Sequence, residues 1–346
     1  MQYRSILTRR VLAWAFYVWA NSAVALSVLA VLFPLFMGAY WIAGESGAVV
    51  TARLAWVNAI ASACICVLSP IFGTIAEAGG VRKRFLFVLT LIGAAATALL
   101  GAVGEGGWAL AGLFFILGSL GYYGSTIFYD SLIIDVTKPR NYSYVSSLGF
   151  AIGYFGGAVL LTLHVVMLTN PSGWGFESAT AVIRFAFVSV GLWWACFALP
   201  LLFFVHESKS ATAVQKDVVR AAYRELRSTL RRISQYRNVV VFLIAYWLYI
   251  GGVFTVITMA VNYGQRLGFE QQDLVMALLI TNFAGFPATI LYGMFGHRFG
   301  PRPGIYLAIA VYILMSGLAM FMSEVWHFYA MAIVIGCVQG GVQGLS

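Results

Sequence analysis

At 346 residues, 61 % of them hydrophobic and 10 % charged, the chain carries more apolar side chains than a water-soluble globule of its length could hide in one core. Its mean hydropathy is +0.88, so its solvent is lipid. A net charge of +9 and a pI near 9.5 would suit a nucleic-acid partner, but the positions of the cations, taken up below, exclude one.

Apolar runs of about 20 residues, enough to cross roughly 30 Å of hydrocarbon as a helix, recur from end to end. The weak two-residue alternation argues against a membrane β-barrel, so the expected fold is an all-α polytopic membrane protein whose helices satisfy their own backbone. Ten spans are predicted, and the first, 11–36, is too long for a signal peptide. Spans two (53–76) and three (85–104) are joined by the loop GTIAEAGGVRKRF, in which Arg82, Lys83 and Arg84 cluster. Span four (108–132) ends near a turn that carries Asp135, Lys138 and Arg140.

Span five (144–168) shows Gly149, Gly153, Gly156 and Gly157 at a small-residue spacing suited to close helix contact. After span six (181–205) comes the longest polar segment, 206–237. There Arg220, Arg224, Arg227 and Arg231 share one helical face, and Val219, Tyr223, Leu226, Leu230 and Ile233 share another. It reads as a basic amphipathic helix on an anionic leaflet, or as a solvated linker, and the two readings are compatible. Spans seven (239–262), eight (272–295), nine (304–322) and ten (325–346) complete the set. The four cysteines, Cys64, Cys66, Cys196 and Cys337, lack the paired spacing of a zinc or redox motif and read as small core residues.

If the N-terminus is cytoplasmic, the inside segments hold all but three of the 21 cations, Arg53, Arg184 and Arg266 being the exceptions. That bias predicts an N-terminus and a linker in the cytoplasm, and for a bacterial protein the inner membrane. The loop between spans eight and nine, GMFGHRFGPRP, echoes the one between spans two and three. Gly73, Glu77, Gly80 and Arg82 align with Gly293, His297, Gly300 and Arg302 at a constant offset. Six spans, a linker and a second set that restarts with the same loop form the layout of transporters built from two related bundles. The expected domains are therefore a six-helix bundle (1–205), a basic linker (206–237) and a second bundle (238–346), six plus about four helices. Glycines at the helix ends, with an acid and cations between them, would make a charge latch able to open and close.

This loop is similar to the G-x-x-x-D-x-x-G-[RK]-[RK] type of pattern in the major facilitator superfamily, with Glu77 for the usual Asp and His297 in the acidic place of the second copy. The stretches WAFYVWANSA (14–23), FYDSLIIDVTKPRNYSYVSSLGFAIGYFGG (128–157) and GCVQGGVQGLS (336–346) resemble the branch named for vacuolar amino-acid effluxers. The resemblance implies two pseudo-symmetric bundles and secondary transport of a small solute, with amino-acid efflux as one reading and a proton as a possible coupling ion. It implies no cofactor. Val18 stands where the branch has an acidic residue, and Tyr249-Ile250-Gly251-Gly252 where Y-N-D-G is common, which puts proton coupling in doubt. The superfamily has twelve spans, so the expectation is of a sequence that lacks the last two; a transport-incompetent scaffold or truncated product is the competing reading.

In that architecture spans one, four, seven and ten line the cavity. The substrate-binding candidates are Tyr17, Asn21, Ser22, Tyr123, Thr126, Asp130, Tyr246, Tyr249, Gln339 and Gln343, whose hydroxyls, amides and rings suit a zwitterion or polar metabolite. Trp14 and Trp247 could equally be interfacial belt residues. Asp130 either lies in the cavity, binding a proton or a substrate amine, or sits at the interface and pairs with a loop cation such as Arg82. No nucleophile, catalytic base or metal-ligand cluster appears, so an enzyme is not expected. The expected partners are a solute and membrane lipid, with no nucleic acid and a monomer favoured.

Overall fold

The computed structural model describes residues 6–78, 80–208, 224, 227, 228, 231–233 and 235–346, and the side chains of Glu77, Ala78, Thr258 and Asn262 lie outside that description. Ten of its helices are long and apolar enough to cross a membrane. They are Arg9–Trp41, Gly47–Ala76, Arg82–Leu100, Trp108–Ser131, Pro139–Thr169, Ala179–Phe204, Arg237–Ile257, Gln271–Phe299, Pro301–Ala319 and Val325–Leu345, called spans one to ten. The chain is thus a multi-pass integral membrane protein, and every span read from hydropathy has its helix.

Span one runs further than its hydropathy suggested. Pro34, which lacks an N–H, lies in a short α-helical turn, Phe33–Phe36, between two wide π-helical stretches, Val24–Leu32 and Met37–Trp41. The wider turns carry the helix past the proline to Trp41.

The chain forms two compact units. An N-terminal unit comprises Thr8–Val136 with Val159–Leu226, and a C-terminal unit comprises Met1–Leu7, Thr137–Ala158 and Arg227–Ser346. Span five, placed wholly in the first bundle by chain order, divides between them at Ala158.

The N-terminal unit is centred on aromatics from spans one, four and six. Phe33 stacks on Phe115 with ring centroids 3.9 Å apart, and Trp41 on Phe187 at 5.7 Å. Helices in lipid gain little from burying one apolar surface against another, so close contact depends on small residues. A Cβ on Gly121 of span four would lie 2.5 Å from the Cα of Gly93 in span three.

The C-terminal unit repeats the device. Span ten lies so near span eight that a Cβ on Gly336 would meet the Thr281 carbonyl oxygen at 2.4 Å, and one on Gly340 the Thr289 hydroxyl at 1.7 Å. Two apolar clusters flank this pair, one around Tyr312, Val338 and Val342 and the other around Leu274, Met322 and Phe328. Span seven is the least enclosed, with Trp247 73 % and Leu248 64 % exposed, surfaces suited to lipid. Cys66 and Cys196 are exposed rather than in the core, because they stand on outward faces of their helices. Arg224, Arg227 and Arg232 of the linker are exposed, while Val219, Arg220, Tyr223, Leu226 and Leu230, which define its amphipathic faces, lie outside the described residues.

Candidate functional site

The loop between spans two and three turns at Gly80, whose φ of +72° is a conformation that a side chain would strain. Span three begins two residues later, and its first backbone N–H groups have no helical partner of their own. Glu207, just past span six, supplies one. Its carboxylate accepts from the Arg82 N–H at 2.9 Å and the Lys83 N–H at 3.4 Å, at the positive end of the helix dipole. Lys83 returns the arrangement, donating from Nζ to the carbonyls of Leu202 and Val205 at 2.6 Å each, where span six runs out of partners.

The Arg82 side chain lies across the same junction. Its Nε donates to the Ala76 carbonyl at 2.6 Å, and Nη1 donates to Asp135 at 3.0 Å and to the Ser131 carbonyl at 3.5 Å. The two ion-pair side chains are only 11 % and 3 % exposed, so this is a buried pair. Asp135 is held on its other oxygen by Ser208, through the backbone N–H at 3.3 Å and through the hydroxyl. One cluster therefore ties the end of span two, the start of span three, the end of span four and the segment after span six.

Two expectations are corrected here. The acid that meets Arg82 is Asp135, not Asp130, because Arg82 crosses beneath the last turn of span four and reaches the residue beyond it. The glycine at 73 is not a close-approach position either, since a Cβ there would meet nothing within 4 Å. The Glu77 side chain lies outside the described residues.

The second copy of the loop, in the C-terminal unit, is built differently. Gly300 has a φ of +83° and ends span eight as Gly80 ends its loop. Gly293 and Gly296 do need their missing side chains: a Cβ would lie 2.7 Å from Ser147 at the first and 2.3 Å from Leu345 at the second. His297, in the acidic place, meets Asn141 through Nε2 at 3.3 Å. Arg302 is exposed and forms no ion pair among the described residues. The difference lies outside the loop: Arg82 finds its anion in Asp135, beyond span four, and Arg302 meets no such acid among the described residues.

Spans one and four run antiparallel in the N-terminal unit and meet at three levels. Trp14 stacks on Tyr129 at 4.3 Å and donates from its indole N–H to the Tyr129 carbonyl at 3.2 Å. Tyr17, fully buried, bonds Thr90 at 2.9 Å, donates to Ser125 at 2.7 Å, and stacks on Tyr129 at 5.0 Å. Its surface is used by the protein and none is left exposed. Asn21 donates from Nδ2 to Thr126 at 3.2 Å, and Thr126 donates to the Tyr122 carbonyl at 2.8 Å. Ser22 is half-buried, Tyr123 is 49 % exposed, and Asp130 is exposed in the last turn of span four with no hydrogen bond or ion pair among the described residues.

In the C-terminal unit, Tyr246, Tyr249, Gln339 and Gln343 are all half-buried. Tyr249 donates to the Ser346 hydroxyl at 2.8 Å, and Gln343 accepts from the hydroxyl of Tyr154, a span-five residue that cavity reasoning from four spans passed over. Asp135 and Glu207 were passed over too. The only sign of either was an acid beside a span end on the cation-rich side.

The chain matches the family described as vacuole effluxer Atg22 like over residues 48–142 and 135–346. It is 33 % identical over 342 residues, 98 % of this chain and 79 % of that protein, to the uncharacterized MFS-type transporter YxiO of Bacillus subtilis (strain 168). Autophagy-related protein 22 of Yarrowia lipolytica (strain CLIB 122 / E 150) is 23 % identical over 245 residues, 61 % of this chain, and the match spans 40 % of that longer protein. The MFS proton:xylose symporter XylE bound to 6-bromo-6-deoxy-D-glucose superposes with a TM-score of 0.65 at 16 % identity, covering 99 % of this chain and 80 % of that one. The human organic anion transporter MFSD10 (TETRAN) gives 0.58 at 15 % identity, covering 97 % and 89 %. At these identities the two structures bear on the fold alone, which is that of the major facilitators.

Proposed function

Because the chain belongs to the vacuole effluxer Atg22-like branch of the major facilitator superfamily, we propose that it is a secondary transporter that carries a small solute across a membrane by alternating access. The observation that carries this reading beyond family membership is the buried Arg82–Asp135 pair, set where a glycine turn lets four helix ends converge. Such a cluster holds one end of the bundle together by a few charge-assisted bonds that can break and re-form as a set, as a gate must. The excess of cations on that side supports its being cytoplasmic, with the N-terminus on the same side.

The finer readings follow from the residues. The amides, hydroxyls and rings of the candidate residues suit a solute with both polar and apolar parts, and efflux of an amino acid fits that chemistry and the family's description. Asp130 is the carboxylate through which a proton or an amine would be coupled. Lipid and the solute are the partners this reading needs, and a monomer suffices for it.

The test is solute counterflow in proteoliposomes of the purified protein. Preloading with an unlabelled amino acid is expected to drive uptake of the same amino acid in labelled form. Arg82→Ala and Asp135→Asn, each checked for monodispersity, are expected to slow that uptake at least tenfold. Wild-type rates in both would remove the gate.

A further inference from the structure

Span five holds a buried ionisable side chain that the charge cluster does not use. His164 is 1 % exposed and stands five residues before Thr169, about 8 Å from the end of the span opposite Arg82. His206 is exposed, and His297 and His327 are half-buried at helix ends, so His164 is the one enclosed histidine. An ionisable ring inside a span is seldom idle, because an apolar side chain of its size would cost less to bury.

Its hydrogen bonds fix where its hydrogen sits. His164 Nε2 lies 2.9 Å from the hydroxyl oxygen of Ser189, on span six. That hydroxyl donates to the Ala186 carbonyl at 2.9 Å, so its single hydrogen is spent and it accepts from the ring. The imidazole therefore carries its hydrogen on Nε2 and keeps a bare lone pair on Nδ1. Nδ1 is buried and has no hydrogen-bond partner among the described residues, a rare condition for a buried acceptor.

No counter-charge stands by. Apart from His164, span five has no Asp, Glu, Lys, Arg or His from Tyr142 to Thr169, and span six has none beyond Arg184. Arg184 is exposed and donates to the Gly101 carbonyl at 2.6 Å, and Cys196 is exposed. Spans one and three pack against span six, but their cations, Arg9, Arg10, Arg82, Lys83 and Arg84, begin those spans at the opposite end, and Tyr17 is bound to Thr90 and Ser125. At the near end Glu45 pairs with Arg53 at 3.3 Å, Tyr40 stacks on Phe36 at 4.7 Å, and Glu105 and Glu177 are exposed.

We propose that Nδ1 of His164 is a proton-binding site, empty in this enclosed conformation and filled when spans five and six part at that end. A proton taken from water on that side occupies the Nδ1 lone pair and makes an imidazolium, a charge that this core has no counter-ion to hold. The charged ring is held only where water reaches it, so the proton stabilises the open conformation by its differential affinity, and closure releases it. The proton then has a place that does not depend on Asp130. That its binding drives a solute rests on the transporter reading, whereas the site does not.

Nitrogen-15 NMR of the full-length protein in lipid nanodiscs, labelled on histidine, tests the site with the proton itself. At pH 8 one ring is expected as the Nε2–H tautomer, absent from His164→Gln and shifted in Ser189→Ala, and between pH 8 and pH 5 that ring is expected to become doubly protonated. Should His164→Gln fail to fold, Ser189→Ala identifies the signal. A ring that stays neutral down to pH 5, as a purely structural histidine would, or one that carries its hydrogen on Nδ1 at pH 8, overturns the site. In proteoliposomes an imposed pH gradient is expected to drive accumulation of those among labelled alanine, phenylalanine and lysine that show counterflow, and His164→Gln to lower that accumulation at least tenfold. Wild-type accumulation in the variant, or a wild type indifferent to the gradient, would likewise overturn the proposal. Titration of the ring without counterflow of any of the three would leave the proton site standing and remove the amino-acid transport reading.

Discussion

Arg82 and Asp135 are both nearly enclosed, and each is the other's ion-pair partner among the described residues. Removing one partner from such a pair leaves a buried charge uncompensated, at a cost of about 3–5 kcal/mol, whereas removing both removes the problem together with the bond. Arg82→Ala and Asp135→Asn are each expected to destabilise the purified protein by about that amount, and the double variant by clearly less than their sum. Denaturation in detergent measures all three, and strict additivity would show that the two side chains are not coupled. Arg82 was legible in the sequence because charge inside so apolar a chain stands out. Its partner was not, because 53 residues separate them and nothing local marks which acid the folded chain delivers.

The same division appears at the level of helices. Hydropathy placed all ten spans, since about 20 apolar residues leave few alternatives in lipid, yet it could not tell which glycines are contacts. Gly73 and Gly293 hold matching places in the two loops, but only Gly293 faces a neighbour that would exclude a side chain. Alanine at Gly73 is therefore expected to be neutral. Alanine at Gly121, pressed on the Gly93 backbone, or at Gly340, pressed on Thr289, is expected to cost about 1–3 kcal/mol through overpacking. Melting temperatures of the three variants check this, and a Gly121→Ala protein as stable as Gly73→Ala would mean that spans three and four are not so close.

For the molecule as a whole, the excess of cations at one set of loops and the repeat of the loop pattern predict that residues near Arg82 and Arg302 share a side of the membrane. Single cysteines at Ser208 and Arg302, in a background without the four native ones, are expected to react with an impermeant maleimide from the same side of intact vesicles. Labelling from opposite faces would dismantle the two-bundle topology. The chain alone determined the solvent, the number of crossings, the orientation bias and the internal repeat, because each is set by composition or by spacing along the backbone. Only the tertiary structure decided that Asp135 and Glu207 complete the charge cluster, that span five divides between two units, and that Asp130 meets no cation among the described residues. Those are facts about which distant side chains come within hydrogen-bond reach, and distances of about 3 Å arise from packing that no local pattern specifies.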